Sequence, residues 1–224
     1  MPRMKIFNTL EQATFDTPPV FNSTERKQFF ALPLMLQDAM AGLRTPTNKV
    51  CFLAAVGYFK ARRKFFARNV NSADIDYIAR QLNLNITDVD ITSYTKFACI
   101  HHQRIILDYF GCRPFDATTM AFAKSEIAML APVQYQPKQI LIEIIQILSR
   151  EKIEVPSYNI LADLIITAIS QHKHTLSNII HHGLNETQRS KLDALLEKEN
   201  DNTTTEGWHY RLTLLKRPSQ STSP

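Results

Sequence analysis

Lys60-Ala61-Arg62-Arg63-Lys64-Phe65-Phe66-Ala67-Arg68 places five cations in nine residues, interrupted by two aromatics. Like charges this close repel one another unless an anion neutralises them, so the chemistry they suit is contact with phosphates or an acidic partner. A helix end is complemented by one or two cations; five exceed that need. Phe65 and Phe66 read as core anchors that fix the run on the fold. The charge around it is uneven too. Residues 1–68 hold eleven Lys and Arg against four Asp and Glu, whereas the remainder holds fifteen against seventeen, within a net charge of +5. A positive end on a near-neutral body draws a polyanion to one region of the surface.

Other chemistries find less support. His172, His174, His181 and His182 fall within eleven residues. No carboxylate or thiol stands one helical turn away to complete a metal site with them, so they read as solvated or capping side chains. Asp88 and Asp90 resemble the start of a calcium loop, but no glycine follows at its sixth position. There is no GxxxxGK[ST], GxSxG or HExxH. Catalytic residues, metal ligands and cofactors are therefore expected to be none. Cys51, Cys99 and Cys112 form an odd set without CxxC spacing and read as buried reduced thiols, which fits a reducing cytoplasm. The N-terminus lacks an apolar signal region. The most apolar stretch, Ile140 to Leu148, contains Glu143 and is far shorter than the ~20 residues that span a bilayer. A soluble cytoplasmic protein without membrane contact is expected.

The elements that must position these residues read as helices. Only five glycines occur in 224 residues, which suits a helical chain with short connections. Residues 1–22 read as an arm, ended by Thr17-Pro18-Pro19. Asn22 and Glu25 form a capping box that opens a short helix. Pro33 fits the first turn of a helix reaching Ala41, and Thr45-Pro46 starts another with Val50, Leu53, Ala54 and Tyr58 at helical spacing. Ser72 caps a helix with Ile75, Ile78, Ala79 and Leu82 inward. After a polar break at Asn83–Asp90, a helix runs from about Ser93 to Phe110, with Phe97, Ile105 and Tyr109 among its apolar positions and Gly111 as a left-handed stop. Asp116 caps a helix ending before Pro132, which serves as a link.

Pro137 then opens a helix with Ile140, Leu141, Ile144, Ile147 and Leu148. Glu151–Pro156 breaks it, and Ser157 caps a successor carrying Ile160, Leu161, Leu164, Ile165, Ala168 and Ile169. This helix–break–helix layout is the one helix-turn-helix readers use, which would aim Ser157, Tyr158 and Asn159 into a groove with Lys152 on the backbone. Asp163 and Ile166 fit that use poorly. Asn185 and Gln188 form a further capping box, Lys198–Gly207 a polar linker, Trp208–Leu215 one strand, and Ser219–Pro224 a disordered tail. The expected plan is mainly α, in two helical units: residues 1–22 as arm, 23–115 as first domain, 116–135 as linker helix, 136–200 as second domain, and 201–224 as linker, strand and tail.

Several stretches, taken in order, resemble the N-terminal region of transposases of the Tn-three family, the class II replicative transposons. They are Thr17-Pro18-Pro19-Val20-Phe21, Glu25 to Pro33, Leu43 to Val50, Gly57 to Ala61 and Lys64 to Phe66. They continue with His102 to Gly111, Arg113 to Phe115, Ile153 to Ser157 and Tyr210 to Lys216. The resemblance implies helical modules that bind the transposon's terminal inverted repeats, in a bacterial, nucleoid-associated protein. Family members are several times longer, and their metal-dependent DDE catalytic domain lies beyond the part resembled, so this sequence is expected to carry no catalysis. Double-stranded DNA is the expected partner. Arg44, Lys49, Lys60, Arg62, Arg63, Lys64 and Arg68, with Arg104, Arg113 and Lys152, are expected on phosphates, and Asn48, Ser157, Tyr158 and Asn159 in a groove. The alternative is a protein-interaction fragment that docks on the rest of a transposase or inhibits a full-length copy.

Overall fold

The computed structural model describes residues 5–134 and 136–194, together with the backbone of 198–199 and 209–210. The chain is mainly α and divides into two compact units, residues 1–172 and 173–224. The expected boundary at 116–135 is thus not where the chain divides.

Among the described residues the first unit contains two large cores and a small cluster of Cys51, Tyr94 and Cys99. One large core surrounds α4 (Pro46–Arg62), in which ten of seventeen residues are buried; a helix apolar all round belongs at a centre. Thr45 caps it through the Asn48 amide, and proline stands in its first turn, as the sequence predicts. Packed on it are α2 (Ser23–Phe29), α5 (Ser72–Gln81) and α6 (Lys96–Phe110), while the short α3 (Gln37–Ala41) adds Met40 to the core. Phe30, Phe52, Phe59, Ile78 and Ile106 are fully buried there, each worth about 1.5–3 kcal/mol of burial. Gly57 lets the Phe30 ring approach α4, since a Cβ there would lie 2.4 Å from it. Asp74, buried without access to water, accepts hydrogen bonds from Arg26 Nε at 2.7 Å and the Tyr58 hydroxyl at 2.7 Å. Burial and that carboxylate push the Tyr58 phenol upward.

The second core joins α7 (Ala117–Leu130), α8 (Pro137–Arg150) and the start of α9 (Tyr158–Gly183). Ile140, Leu141, Ile144 and Leu148 form the expected stripe. Because Ala123 and Ile127 are fully buried in this core, α7 is a structural member and not a linker. The two cores are stitched by main chain: Arg113 donates to Lys152 O at 2.8 Å, Glu154 to Arg113 O at 2.9 Å, and Val155 to Arg63 O at 2.8 Å. Arg63 and Lys152 both turn left-handed, at φ 52° and 53°, which aims those carbonyls sideways. A side chain there costs roughly 1–2 kcal/mol that a glycine would avoid. Lys152 thus makes the turn between α8 and α9 in a conformation that favours glycine.

Residues 5–16 are not a free arm. Asn8 and Glu11 form a capping box that opens α1 (Thr9–Asp16), and Ile6 is buried in the second core. In the second unit the backbone continues as α9 to Gly183, followed by α10 (Glu186–Ala194) with the predicted Asn185–Gln188 capping pair. Two-residue strands Lys198–Glu199 and His209–Tyr210 pair antiparallel. The remainder of the expected strand and the tail lie outside the described residues.

In α6 the predicted Ile105 and Tyr109 pack against the first core, but Phe97 does not. Cys99, His102, Ile106 and Leu107 face inward, whereas Phe97 is 84% exposed. His102, only 2% exposed, packs edge-on to Phe52 with its Nδ1 2.8 Å from the Tyr94 hydroxyl. Burial, with some help from His101, lowers it from 6.5 to about 4. Within that interval the unfolded chain binds a proton that the folded chain refuses. Its contribution is therefore complete above about pH 6.5 and is lost as pH falls. We predict that the stability gap between wild type and His102→Gln, from urea unfolding, narrows by about 2 kcal/mol between pH 6.5 and 5. A constant gap would show that His102 carries no such burden.

Candidate nucleic-acid interface

The basic run does not form one surface. Lys60 leaves the last turns of α4 and donates to Ala31 O at 2.5 Å, and partial burial lowers its pKa. Arg63, after the helix end, lays its guanidinium over Phe110 and Phe59 at 5.3 and 5.8 Å and reaches Cys112 Sγ at 3.8 Å. Lys64 is 5% exposed. Its ammonium sits 2.5 Å from Asp16, 3.1 Å from Pro156 O and 3.9 Å from the centre of the Phe15 ring. Desolvation lowers its pKa while Asp16 opposes the change. Lys64 is thus withdrawn from the phosphate contacts expected of it. Arg62 stays exposed, beside an apolar groove of about 490 Å³ lined by Phe7, Leu10, Phe15 and Phe66.

The start of α9 is covered as well. Tyr158, 6% exposed, stacks on Phe7 with centroids 5.3 Å apart, and its hydroxyl accepts the Phe7 amide at 3.1 Å. The Tyr158 amide donates to Asp16 at 3.1 Å, and Gln12 Nε2 donates to Asn159 Oδ1 at 3.3 Å. Ser157 is half-buried beside them. Tyr158, expected in a groove, is instead buried against residues 6–16 of its own chain. Lys152 remains exposed. Arg113 is exposed too, with a long contact of 3.5 Å to Glu151 O.

A different juxtaposition appears at the other end of α4. Phe52 meets His102 at 5.2 Å and Phe59 meets Phe110 at 5.4 Å, so α4 and α6 run parallel. Their N-terminal ends therefore share one end of the first core. Thr47, in the first turn of α4, accepts the Asp90 amide at 3.0 Å. This holds the connection that leads into Thr95, the cap of α6. Arg68 returns to this end, donating to Tyr94 O at 3.4 Å. Arg44, Asn48 and Lys49 sit where α4 begins and Lys96 where α6 begins. Arg104 lies two turns along the exposed face of α6. Among the described residues none of Arg44, Lys49, Lys96 and Arg104 enters an ion pair. Two carboxylates, Asp88 and Asp90, stand on the connection, and Thr92 engages that of Asp90 at 2.6 and 2.9 Å, which lowers its pKa. The free amides of two parallel helices add positive potential to the same end.

α4 has seventeen residues, about 25 Å in length. Arg44, Asn48, Lys49 and Arg68 are therefore brought together with Lys96, while Lys60, Arg62, Arg63 and Lys64 gather at the opposite end. Lys96, Phe97, Ile100 and His101 are not among the residues the sequence points to, because Phe97 reads as a core position. No group of three or more His, Cys, Asp or Glu is placed to hold a metal ion among the described residues. His174 and His182 both engage Asn178, at 3.0 and 2.8 Å. Burial pushes the Cys51 thiol up to about 12, so it stays protonated near neutral pH.

Comparison with protein families matches residues 6–168 to a model described as a domain of unknown function (DUF4158). No curated protein matches the chain.

The burial of Lys64 separates structure from binding. Lys64→Met keeps the aliphatic bulk but leaves the half-buried Asp16 carboxylate with only the Tyr158 amide, and should lower stability by roughly 2 kcal/mol. Arg62→Ala, by contrast, should stay within about 0.5 kcal/mol of wild type. Urea unfolding checks both, and equal small effects would make Lys64 an ordinary surface charge.

Proposed function

This chain belongs to the DUF4158 family, and we propose that it binds double-stranded DNA through the end of the first core where α4 and α6 begin. The observation that carries this reading is the gathering there of Arg44, Lys49, Arg68 and Lys96 around two helix N-termini. Cations fixed on rigid helices neutralise phosphates, and the amides of a first turn complement them. The excess positive charge of residues 1–68 supports the same partner. In order along the chain, the motifs resemble the terminal-repeat-binding part of Tn-three family transposases. That resemblance makes the terminal inverted repeats of a transposon the DNA in question, held for catalysis located elsewhere, in the bacterial cytoplasm. No helix among the described residues is long and apolar enough to cross a membrane.

A second reading has its own observation. In the second unit Leu176, Ile179, Ile180 and Leu192 are exposed, and a groove of about 630 Å³ runs between the end of α9 and α10. These residues suit docking to a protein, such as the remainder of a transposase. Leu176→Ser with Ile180→Ser should abolish such docking in a pull-down with the catalytic part while leaving duplex affinity unchanged.

The DNA reading is tested with a fluorescein-labelled mixed-sequence duplex titrated by anisotropy over a range of salt. Wild-type affinity should fall with salt, and Arg44→Ala with Lys49→Ala and Arg68→Ala should flatten the slope by about 0.9 for each lost contact. Circular dichroism should show an unchanged helical signal. Salt-independent affinity, or a triple variant that binds as wild type does, would refute the assignment.

A further inference from the structure

Along α6, Lys96, Phe97, Ile100, His101 and Arg104 are exposed on a continuous face, linked by the three- and four-residue spacings that share a helix side. Phe97 is 84% exposed and Ile100 49%. Large apolar side chains so placed on a rigid helix stand unfavourably in water unless something covers them. The charge around them says what. Lys96 and Arg104 flank them on the same helix, and Arg68 reaches the residue before its cap. Asp108 is the first carboxylate along that face. A cationic rim around an apolar centre complements a polyanion with apolar groups inside it.

We propose that α6 is the element that enters the DNA major groove, with Phe97 and Ile100 in apolar contact with base edges. The proposal rests on the duplex-binding reading above and names its reading helix. A helix with its side chains is about 10–12 Å across, and the major groove about 12 Å wide. Residues near the N-terminus of a reading helix are the ones that meet bases, and Phe97 stands in the first turn of α6. The base feature that accepts a phenyl ring is the thymine 5-methyl group. Lys96 and Arg104 then bind the phosphates on either side. Sequence choice lies in the apolar pair, and affinity in the cations.

The test uses the full chain and two probes. One is a mixed-sequence duplex, and the other a duplex selected from a random pool by the wild-type chain. Phe97→Ala should weaken binding to the selected duplex by about tenfold. Its salt slope and its affinity for the mixed duplex should stay as in wild type. Lys96→Ala with Arg104→Ala should weaken both duplexes alike and flatten the slope by about 0.9 per contact. Because Phe97 and Lys96 lie on the surface, unfolding curves should match wild type. If Phe97→Ala leaves the selected duplex unaffected, or weakens both probes equally, α6 is not the reading helix even though duplex binding stands. Loss of self-association or of protein docking in Phe97→Ala, with DNA binding intact, would assign the face to a protein and overturn the proposal. If the wild-type chain binds neither duplex, the duplex-binding reading itself fails, and this inference with it.

Discussion

An ammonium taken out of water needs compensation from every side, and Lys64 receives it from three parts of the chain. Asp16 supplies the opposite charge, Pro156 a carbonyl, and Phe15 the face of a ring. Such a buried pair adds little net stability, because desolvation offsets most of the attraction. What it does is exclude arrangements in which the three segments part. Glu154, whose own carboxyl is raised by burial, stands close enough to support the lysine charge. Asp16 also takes the Tyr158 amide. One carboxylate therefore anchors the run after α4, the end of α1 and the start of α9.

This constraint distributes the cations of the chain. At the C-terminal end of α4, Lys60 and Lys64 are tied to carbonyls or a carboxylate, and Arg63 is laid on aromatic rings. The left-handed turns at Arg63 and Lys152 expose the carbonyls through which the second core is joined to the first. That end of the molecule is an internal joint. At the other end of α4 nothing comparable happens: Arg44, Lys49 and Lys96 project from helix starts without carboxylate partners among the described residues. A single helix thus separates cations that hold the fold from cations without carboxylate partners among the described residues.

Local chemistry made much of the fold legible. Asn22 with Glu25, Thr45 with Pro46, Asp116 and Asn185 with Gln188 start helices where their hydrogen-bonding groups predict, and Gly111 ends α6 at φ 58°. Asn8 and Glu11 carry the same signal as Asn22 and Glu25, but Thr17-Pro18-Pro19 after them makes the segment read as an arm. The fate of Lys64 was not legible, because its partner lies forty-eight residues away and pairing at that separation leaves no local trace. Five close cations look the same in sequence whether they face a phosphate or a carbonyl of their own fold. The cover over Tyr158 was hidden likewise, since Phe7 lies 151 residues before it.

The start of α6 is the instructive failure: Ile105 and Tyr109 pack against the core as hydrophobicity predicts, but Phe97 does not. A stripe through Phe97, Ile105 and Tyr109 is as apolar as one through Cys99, His102 and Ile106. What decides between them is polar: the Tyr94 hydroxyl is buried and finds its partner in His102. A rotation that brought Phe97 inward would carry His102 toward water and strand that hydroxyl, at a cost of about 1–3 kcal/mol. It would also separate His102 from Phe52 and Cys99 from Ala67 O. The buried histidine therefore fixes which residues α6 shows to the outside. Phe97, Ile100, Lys96 and Arg104 face solvent together as the geometric counterpart of one hydrogen bond inside. The surface on which ligand binding would depend is set from the core.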